Sequence, residues 1–360
     1  MPPTGPGDGG GYDWLYDQEP RRPAASSPAG GSDLPPPRLP PPGSGGGPEP
    51  QGRKPRKRGA WRLVVLLISL WLAFMLAVPL VAWSKVTKVD ATPDGDRPAD
   101  GGATTWLLVG TDKRPKDTSR GRTDTIMLLT YGGDGPSVLT SIPRDSLVPV
   151  PGYGRTKINA AYAYGGPPLL VQTLESTTGV RIDGYTEIGF QGLQDVVDAL
   201  GGITICPTED IKDEDAKLDI KEGCQEVDGA TALAYSRSRH AFATGDIARG
   251  AHQREVIGAI GKAALSPSTF LNPVTYARFA STSAESVAVG DDDSIFSFSR
   301  FAWKLMRAMS GQGLNCTVPI ANLAVTWDRE RALAYFGHLK DGSTDQLGDL
   351  CTEDGMPPKS

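Results

Sequence analysis

Nine side chains with the chemistry to grip phosphate and metal recur at the edges of apolar runs in this chain: Asp112, Arg114, Arg122, Asp124, Arg144, Arg237, Arg239, Arg249 and Gln253. The run LLVG ends in TDKRP, which places Asp112 and Arg114 just past a predicted strand, where functional residues of open α/β sheets gather. GRTDTIM opens the next run, so Arg122 and Asp124 fall near them, and two carboxylates are hard oxygen ligands suited to Mg²⁺. SIPRDS adds Arg144 and Asp145 at a third strand end, with the proline holding the chain extended. In ALAYSRSRH, alternation along a strand would put Arg237 and Arg239 on one face. Arg249 and Gln253 are four apart and share a helical face. Arginine forks at this density point to an anion with planar or tetrahedral oxygens, so the set predicts a phosphate or pyrophosphate site with a divalent ion.

Any one of these residues also fits a solvated surface pair; their convergence from separate strand ends favours a site. No nucleophile–base pair accompanies them. GxxxxGK[ST], GxGxxG, HExxH and GxSxG are all absent, which removes the enzyme classes those motifs serve. His240 and His252 lie near the basic cluster, and with only three histidines local hydrogen bonding is the role expected of them.

The elements that must position these groups are legible as β-rich runs at 106–110, 125–130, 137–142, 185–190 and 202–206. Helical periodicity lies between and after them. Leu193, Val196, Val197 and Leu200 make an apolar stripe closed by Gly201 and Gly202. A helix at 246–264 has Asp246 as its candidate cap, and a shorter helix is expected over 167–178. Helix, strand and helix patterns continue through 291–355. The expectation is an α/β fold: one domain over 104–355 with a mixed central β-sheet flanked by helices on both faces (α-β-α), preceded by one transmembrane helix. Helices such as 190–200 could also wall an apolar groove, although core packing is the more ordinary role of such residues.

The transmembrane helix is read at 63–83, LVVLLISLWLAFMLAVPLVAW, which is uncharged and spans about 30 Å at 1.5 Å per residue. It is too long for the apolar core of a signal peptide, and no small-x-small site follows it. Residues 1–62 form a Pro/Gly-rich tail, with 15 Pro and 13 Gly in the first 60, too poor in apolar residues to order itself. Its basic juxtamembrane run (Arg53, Lys54, Arg56, Lys57, Arg58, Arg62) puts the N-terminus in the cytoplasm and the C-terminal domain outside. Beside a membrane helix that run touches anionic lipid; nucleic acid is not an expected partner. Residues 84–103 are polar and read as a linker. Past the helix 28 basic face 36 acidic residues, so the outer domain is acidic. All four cysteines lie there, in an oxidising setting; three pairings are possible, and chain order suggests Cys206–Cys224 and Cys316–Cys351.

The blocks LLVGTDKRP, GRTDTIMLLT, SIPRDSLV with KINAAYAYGGPPLL, DGYTEIGFQGLQDVVDALGGI and DGATALAYSRSRHAFATGDIARGAHQREVI resemble, in order, those of the extracytoplasmic LytR-CpsA-Psr proteins of bacterial cell envelopes. The likeness covers 104–265 strongly and extends more loosely to 355. It implies a Mg²⁺-dependent phosphotransferase that takes a glycopolymer from a polyprenyl-pyrophosphate carrier and joins it to peptidoglycan through a phosphodiester. On that resemblance Asp112 and Asp124 match the Mg²⁺-associated carboxylates. Arg122, Arg144, Arg237, Arg239, Arg249 and Gln253 match positions that hold or polarise the pyrophosphate, with Arg114 a further member. Thr111 and Lys113 depart from the serines of many members but leave the Asp and Arg in place. The base for the acceptor hydroxyl is left open among Asp124, Asp145 and a metal-bound carboxylate. Two rival readings use the same site: a polyprenyl-pyrophosphate hydrolase, and a membrane-tethered binder of lipid-linked polymer without turnover. Transcriptional control, which the family's name suggests, has no helix-turn-helix to support it.

Overall fold

The structure is a computed structural model that describes residues 58–112, 121–238, 246–322 and 325–358, the side chains of 58–60 and 246–248 excepted. The tail as far as residue 57, with most of its basic run, lies outside the described residues, as do Lys113, Arg114, Arg239 and His240.

Helix α1 (Arg58–Trp83) contains the uncharged segment, and over Trp61–Trp83 it is long and apolar enough to cross a membrane, with a mean hydropathy of 2.7. Its leucines are exposed along most of its length. The polar stretch 84–103 contributes an edge strand, β1 (Thr87–Val89). The same stretch is fastened again where Arg97 forks onto the buried Glu175 carboxylate, with Nη2 to Oε1 2.6 Å. That pairing spans residues far apart in sequence, so composition alone reads the stretch as free.

A meander follows: β2 (Thr104–Thr111), β3 (Thr123–Tyr131) and β4 (Ser137–Ser141), then a hairpin of β5 (Leu147–Val150) and β6 (Gly154–Lys157). Helix α2 (Ile158–Thr178) contains the expected 167–178 helix and extends it backwards across a break at Gly166, whose φ of 66° only glycine adopts without strain, just ahead of Pro167. Strand β7 (Gly184–Gly189) leads directly into α3 (Phe190–Leu200), the helix read from the Leu193–Leu200 stripe. Short strands β8 (Ile203–Ile205), β9 (Ile211–Asp213), β10 (Leu218–Ile220) and β11 (Gln225–Val227) pair as β8 with β11 and β9 with β10, and Cys206–Cys224 closes this lobe.

Helices α4 (Gly229–Arg237), α5 (Asp246–Ala264), α6 (Pro267–Leu271) and α7 (Pro273–Ser286) come next. Strand β12 (Val287–Gly290), α8 (Ile295–Arg307), β13 (Gly313–Thr317) and α9 (Arg329–Asp341) complete the order. Cys316 of β13 is bonded to Cys351, so both expected disulfides are present.

The central sheet has the order β1-β12-β7-β2-β3-β4-β13 and is mixed. β2 runs parallel to β7 and antiparallel to β3, and β13 is parallel to β4. Alternation along β2 sends Leu107 and Val109 to a core completed by α2 and α9, and Trp106 and Leu108 to the opposite face under α8. Helices therefore cover both faces. A third core, around Val197, Ile205, Tyr235 and Val256, holds the small lobe to α3, α4 and α5.

Candidate functional site

Asp124 is presented by a fault in the sheet. β2 and β3 pair Gly110 with Thr125 and then Thr111 with Thr123, so Asp124 is the extra residue of a β-bulge. Bulges re-aim a side chain next to functional sites. Two local features hold this one. The Thr123 hydroxyl lies 3.1 Å from Gly110 O and 2.9 Å from Thr125 O. Gly110 has no Cβ because one would come within 2.8 Å of the Thr125 side chain. The re-aimed Asp124 carboxylate accepts a hydrogen bond from Arg144 Nη1. Arg144 sits beyond β4, just after Pro143, and its buried Nε makes no hydrogen bond among the described residues, lying 4.0 Å from Asp145 Oδ1.

Asp112 and Arg122 meet at the same end of the sheet, immediately past β2 and before β3. Asp112 Oδ1 accepts the Arg122 backbone N–H at 2.6 Å, and Asp112 N–H donates to Arg122 O at 3.2 Å. The pair closes the strand ends, and the Arg122 side chain is exposed. Behind it, Tyr162 and Tyr185 both donate to Glu187 Oε2, at 2.8 and 2.6 Å. Burial first and then the Glu187 charge raise the Tyr162 hydroxyl, so it stays a protonated donor.

Arg237 is carried by a helix, not by the strand that alternation predicted. Asp228 caps α4 by accepting from Thr231 N at 2.8 Å, and the Ala-Leu-rich sequence that follows favours a helix. Ala232 to Ser236 are all buried because α4 is wedged between α3 and α5, and this all-round burial imitates strand patterning. Arg237 ends the helix with its guanidinium 4.9 Å above the Phe190 ring. The expected shared face with Arg239 falls outside the described residues. Helix α5 has the predicted bounds and presents Arg249, 5% exposed, and Gln253; the Asp246 side chain expected to cap it lies outside the described residues.

Asp124, Arg144, Arg237, Arg249 and Gln253 all line one cavity of about 400 Å³. Asp112 and Arg122 are not among its lining residues. Its polar end also receives Asp213, Asp215 and Ser236, which sequence reasoning missed because they belong to the small lobe and to α4. Beyond that end the lining is apolar: Leu193 and Val196 of α3, Ile257 and Ile260 of α5, Phe279 of α7, and Phe298, Leu305 and Met306 of α8. The α3 wall matches the groove expected from sequence; the α8 wall was readable from its helical spacing but lacked a destination. A further missed residue is Arg254, buried behind the polar end, where Nη1 donates to Ser141 Oγ at 2.9 Å and burial lowers its pKa. It pins α5 to the end of β4.

For a divalent ion, the donor set at the strand ends is two carboxylates, and among the described residues no group of three or more His, Cys, Asp or Glu gathers to cage a metal. Mg²⁺ commonly binds through one or two carboxylates plus substrate phosphates and water, a mode that needs no all-protein cage; of the two carboxylates expected to hold it, Asp124 lines the cavity and Asp112 stands outside the lining, at the neighbouring strand ends. Asp145, the other base considered, pairs with Lys157 at 3.1 Å and does not line the cavity, whereas Asp124 does.

Comparison with known proteins gives one consistent result. The signature of the LytR_cpsA_psr family matches residues 81–294. A Corynebacterium glutamicum protein named "Probable cell wall biosynthesis protein LcpB" is 42% identical over 305 residues, which is 79% of this chain and 72% of that protein. The polyisoprenyl-teichoic acid–peptidoglycan teichoic acid transferase TagU of Oceanobacillus iheyensis is 38% identical over 160 residues, 42% of this chain and 49% of its own. Among solved structures, the LytR-Csp2A-Psr enzyme from Actinomyces oris has a TM-score of 0.58 at 21% identity, covering 71% of this chain and 96% of that one, a likeness of fold.

Proposed function

The chain belongs to the LytR-CpsA-Psr family, and from that premise we propose that it moves a glycopolymer from a polyprenyl-pyrophosphate carrier to peptidoglycan, forming a phosphodiester. One observation carries the donor assignment: a single cavity joins an arginine-lined polar end to an apolar interior, the complement of a ligand with a phosphate head and a hydrocarbon tail. The names of the relatives supply the polymer and acceptor classes, cell wall and peptidoglycan.

In this reading a sugar hydroxyl of the acceptor attacks the phosphorus that bears the glycopolymer. The bond from that phosphorus to the bridging oxygen breaks, and polyprenyl phosphate leaves. Arg144, Arg237 and Arg249 neutralise charge on the non-bridging and leaving oxygens, the main catalytic demand of phosphoryl transfer. The Arg144 Nε–H is a donor available to such an oxygen. Asp124, aimed into the cavity by its bulge, is the carboxylate placed to take the hydroxyl proton. Mg²⁺ on Asp112 and Asp124 would add further neutralisation of the pyrophosphate. In the family pattern Arg114 and Arg239 are further pyrophosphate-holding positions, and both lie outside the described residues. Helix α1 spans the membrane with the N-terminus in the cytoplasm, so the cavity faces the envelope and its lipid donor.

The test uses the full chain in vesicles with a lipid-linked glycan pyrophosphate, with and without peptidoglycan fragments. Transfer predicts a phosphodiester-linked product that needs the acceptor and is lost with a chelator. Equal release of polyprenyl phosphate without acceptor would favour the hydrolase, and no turnover in either arm the passive binder.

A further inference from the structure

Helix α7 lies beside the C-terminal half of α1 in a way that fixes its depth, and α6 is held at the Tyr276 end of α7, where Phe270 stacks 5.8 Å from the Tyr276 ring. The Tyr276 hydroxyl donates to Met75 O at 3.0 Å, and its ring is 6.1 Å from Phe74. Two residues past the end of α1, Lys85 Nζ meets Glu285 near the end of α7 at 2.8 Å. α7 therefore runs alongside α1, from the level of Met75 out to the level of Lys85. Met75 precedes Trp83, the apolar limit of α1, by eight residues, or about 12 Å of helix.

The segment at that depth has the composition of a membrane-seated element. From Ala263 to Ala277 no residue is charged, and Lys262 and Arg278 bracket the stretch. Within it Leu265, Phe270, Leu271 and Val274 are 44%, 38%, 73% and 65% exposed. Its backbone donors are provided for locally, as an apolar medium requires. Pro267 and Pro273 sit in the first turns of α6 and α7, where they remove N–H groups that would lack partners. Ser266 accepts from Thr269 N, and Asn272 Oδ1 accepts from Val274 N and Thr275 N. The Thr269 hydroxyl donates to Ala263 O at 2.8 Å, and the Ser266 and Ser268 hydroxyls pair at 2.7 Å.

We infer that the α6–α7 corner, Leu265 to Val274, is a second membrane contact, seated in the hydrocarbon of the leaflet on the Trp83 side, with Lys262 and Arg278 reaching back to the headgroups. The inference rests on α1 spanning the bilayer and is independent of the transfer chemistry. It has a consequence for the cavity, whose apolar end is lined by Ala264, Phe279 and Ser283 of the same α5–α7 corner. The seat brings that end to the bilayer, so a lipid tail enters sideways without crossing water.

All four cysteines are paired, so one introduced cysteine is a unique labelling site. Leu271→Cys, Val274→Cys, Leu72→Cys on α1 and Leu333→Cys on α9 are each labelled with an environment-sensitive fluorophore. The full chain is then reconstituted in phosphatidylcholine–phosphatidylglycerol vesicles. Labels at 271, 274 and 72 are expected to lose fluorescence to acyl-chain nitroxide lipids and to resist a water-soluble quencher; the label at 333 should show the reverse. Water access at 271 and 274 with a shielded 72 overturns the seat and leaves the spanning helix intact. Water access at 72 as well overturns both. Shielding at 271 without acyl-chain quenching means that a second copy of the chain covers the corner, which also overturns it.

Discussion

The two ends of the cavity are built on different principles. The polar end is made largely at strand and helix ends, where Asp124 interrupts β3, Arg144 lies beyond β4 and Arg237 ends α4, with Arg249 and Gln253 added from α5. The apolar end is made by the middles of helices, where Ile260, Phe279 and Leu305 are ordinary members of apolar stripes. A terminus can hold a charge at a fixed point because regular pairing has just stopped. A stripe can only offer surface, and what it faces depends on how helices from distant parts of the chain assemble. Head-group chemistry should therefore fail sharply with single changes at the polar end, while tail recognition should be graded.

Removing Arg144 tests the sharp end. Arg144→Ala takes away the partner of Asp124 and an unpaired donor, and loss of one preorganised donor to a developing charge costs about 10²–10³-fold in kcat. Steady-state transfer, with the melting midpoint checked alongside, should show that loss. Arg144→Lys keeps the charge without the planar fork and should recover only part of it. If Arg144→Ala keeps full activity, the polar end is not where the pyrophosphate is held.

Plugging the interior tests the graded end. Ile260→Trp places a large ring in the apolar lining while leaving the arginines untouched. Excluding about two methylenes of a lipid tail from burial costs ~0.8 kcal/mol each, roughly tenfold in KM. The effect should appear with a full-length polyprenyl donor and vanish with one truncated to a short chain. Equal loss for both donors would mean that the ring distorts the site, and the division between the ends would break down.

The same division explains what the sequence could disclose. The Asp and Arg positions were readable because strand ends are marked by short motifs, and the α5 pair because a four-residue spacing survives any packing. The bulge at Asp124 was not readable: GRTDTIM does not reveal that β3 carries one more residue than β2. Arg237 was placed on a strand because a helix buried on all sides loses its periodicity, although Asp228 followed by Ala-rich sequence marked a helix start. Arg254, Asp213 and the α8 wall were missed for one reason: each becomes functional only through tertiary contact with a remote element. The sheet's order could not be read either, since β13, near the end of the chain, inserts beside β4, and β12 beside β7.

The smallest effect is expected beside the polar end, where His252 lies on α5 between Arg249 and Gln253 but outside the cavity lining. Its ring is 7% exposed and stacked 4.2 Å from Tyr235, whose hydroxyl donates to Glu255 at 2.6 Å. Burial holds its pKa below the usual 6.5, with the Glu255 charge acting the other way. The unfolded chain therefore takes up the proton first. Stability from this residue is complete above about pH 6.5 and declines as pH falls towards the folded value, by at most about 1.4 kcal/mol per pH unit. Asp183 and Asp293, whose pKa values burial raises, pull the other way at more acid pH, so the slope must be compared between variants. His252→Gln should flatten the fall in melting midpoint between pH 7 and pH 5, whatever it does to the midpoint itself. An unchanged slope would mean that the ring meets water in solution, and that the polar end reaches further into the helices than the cavity wall implies.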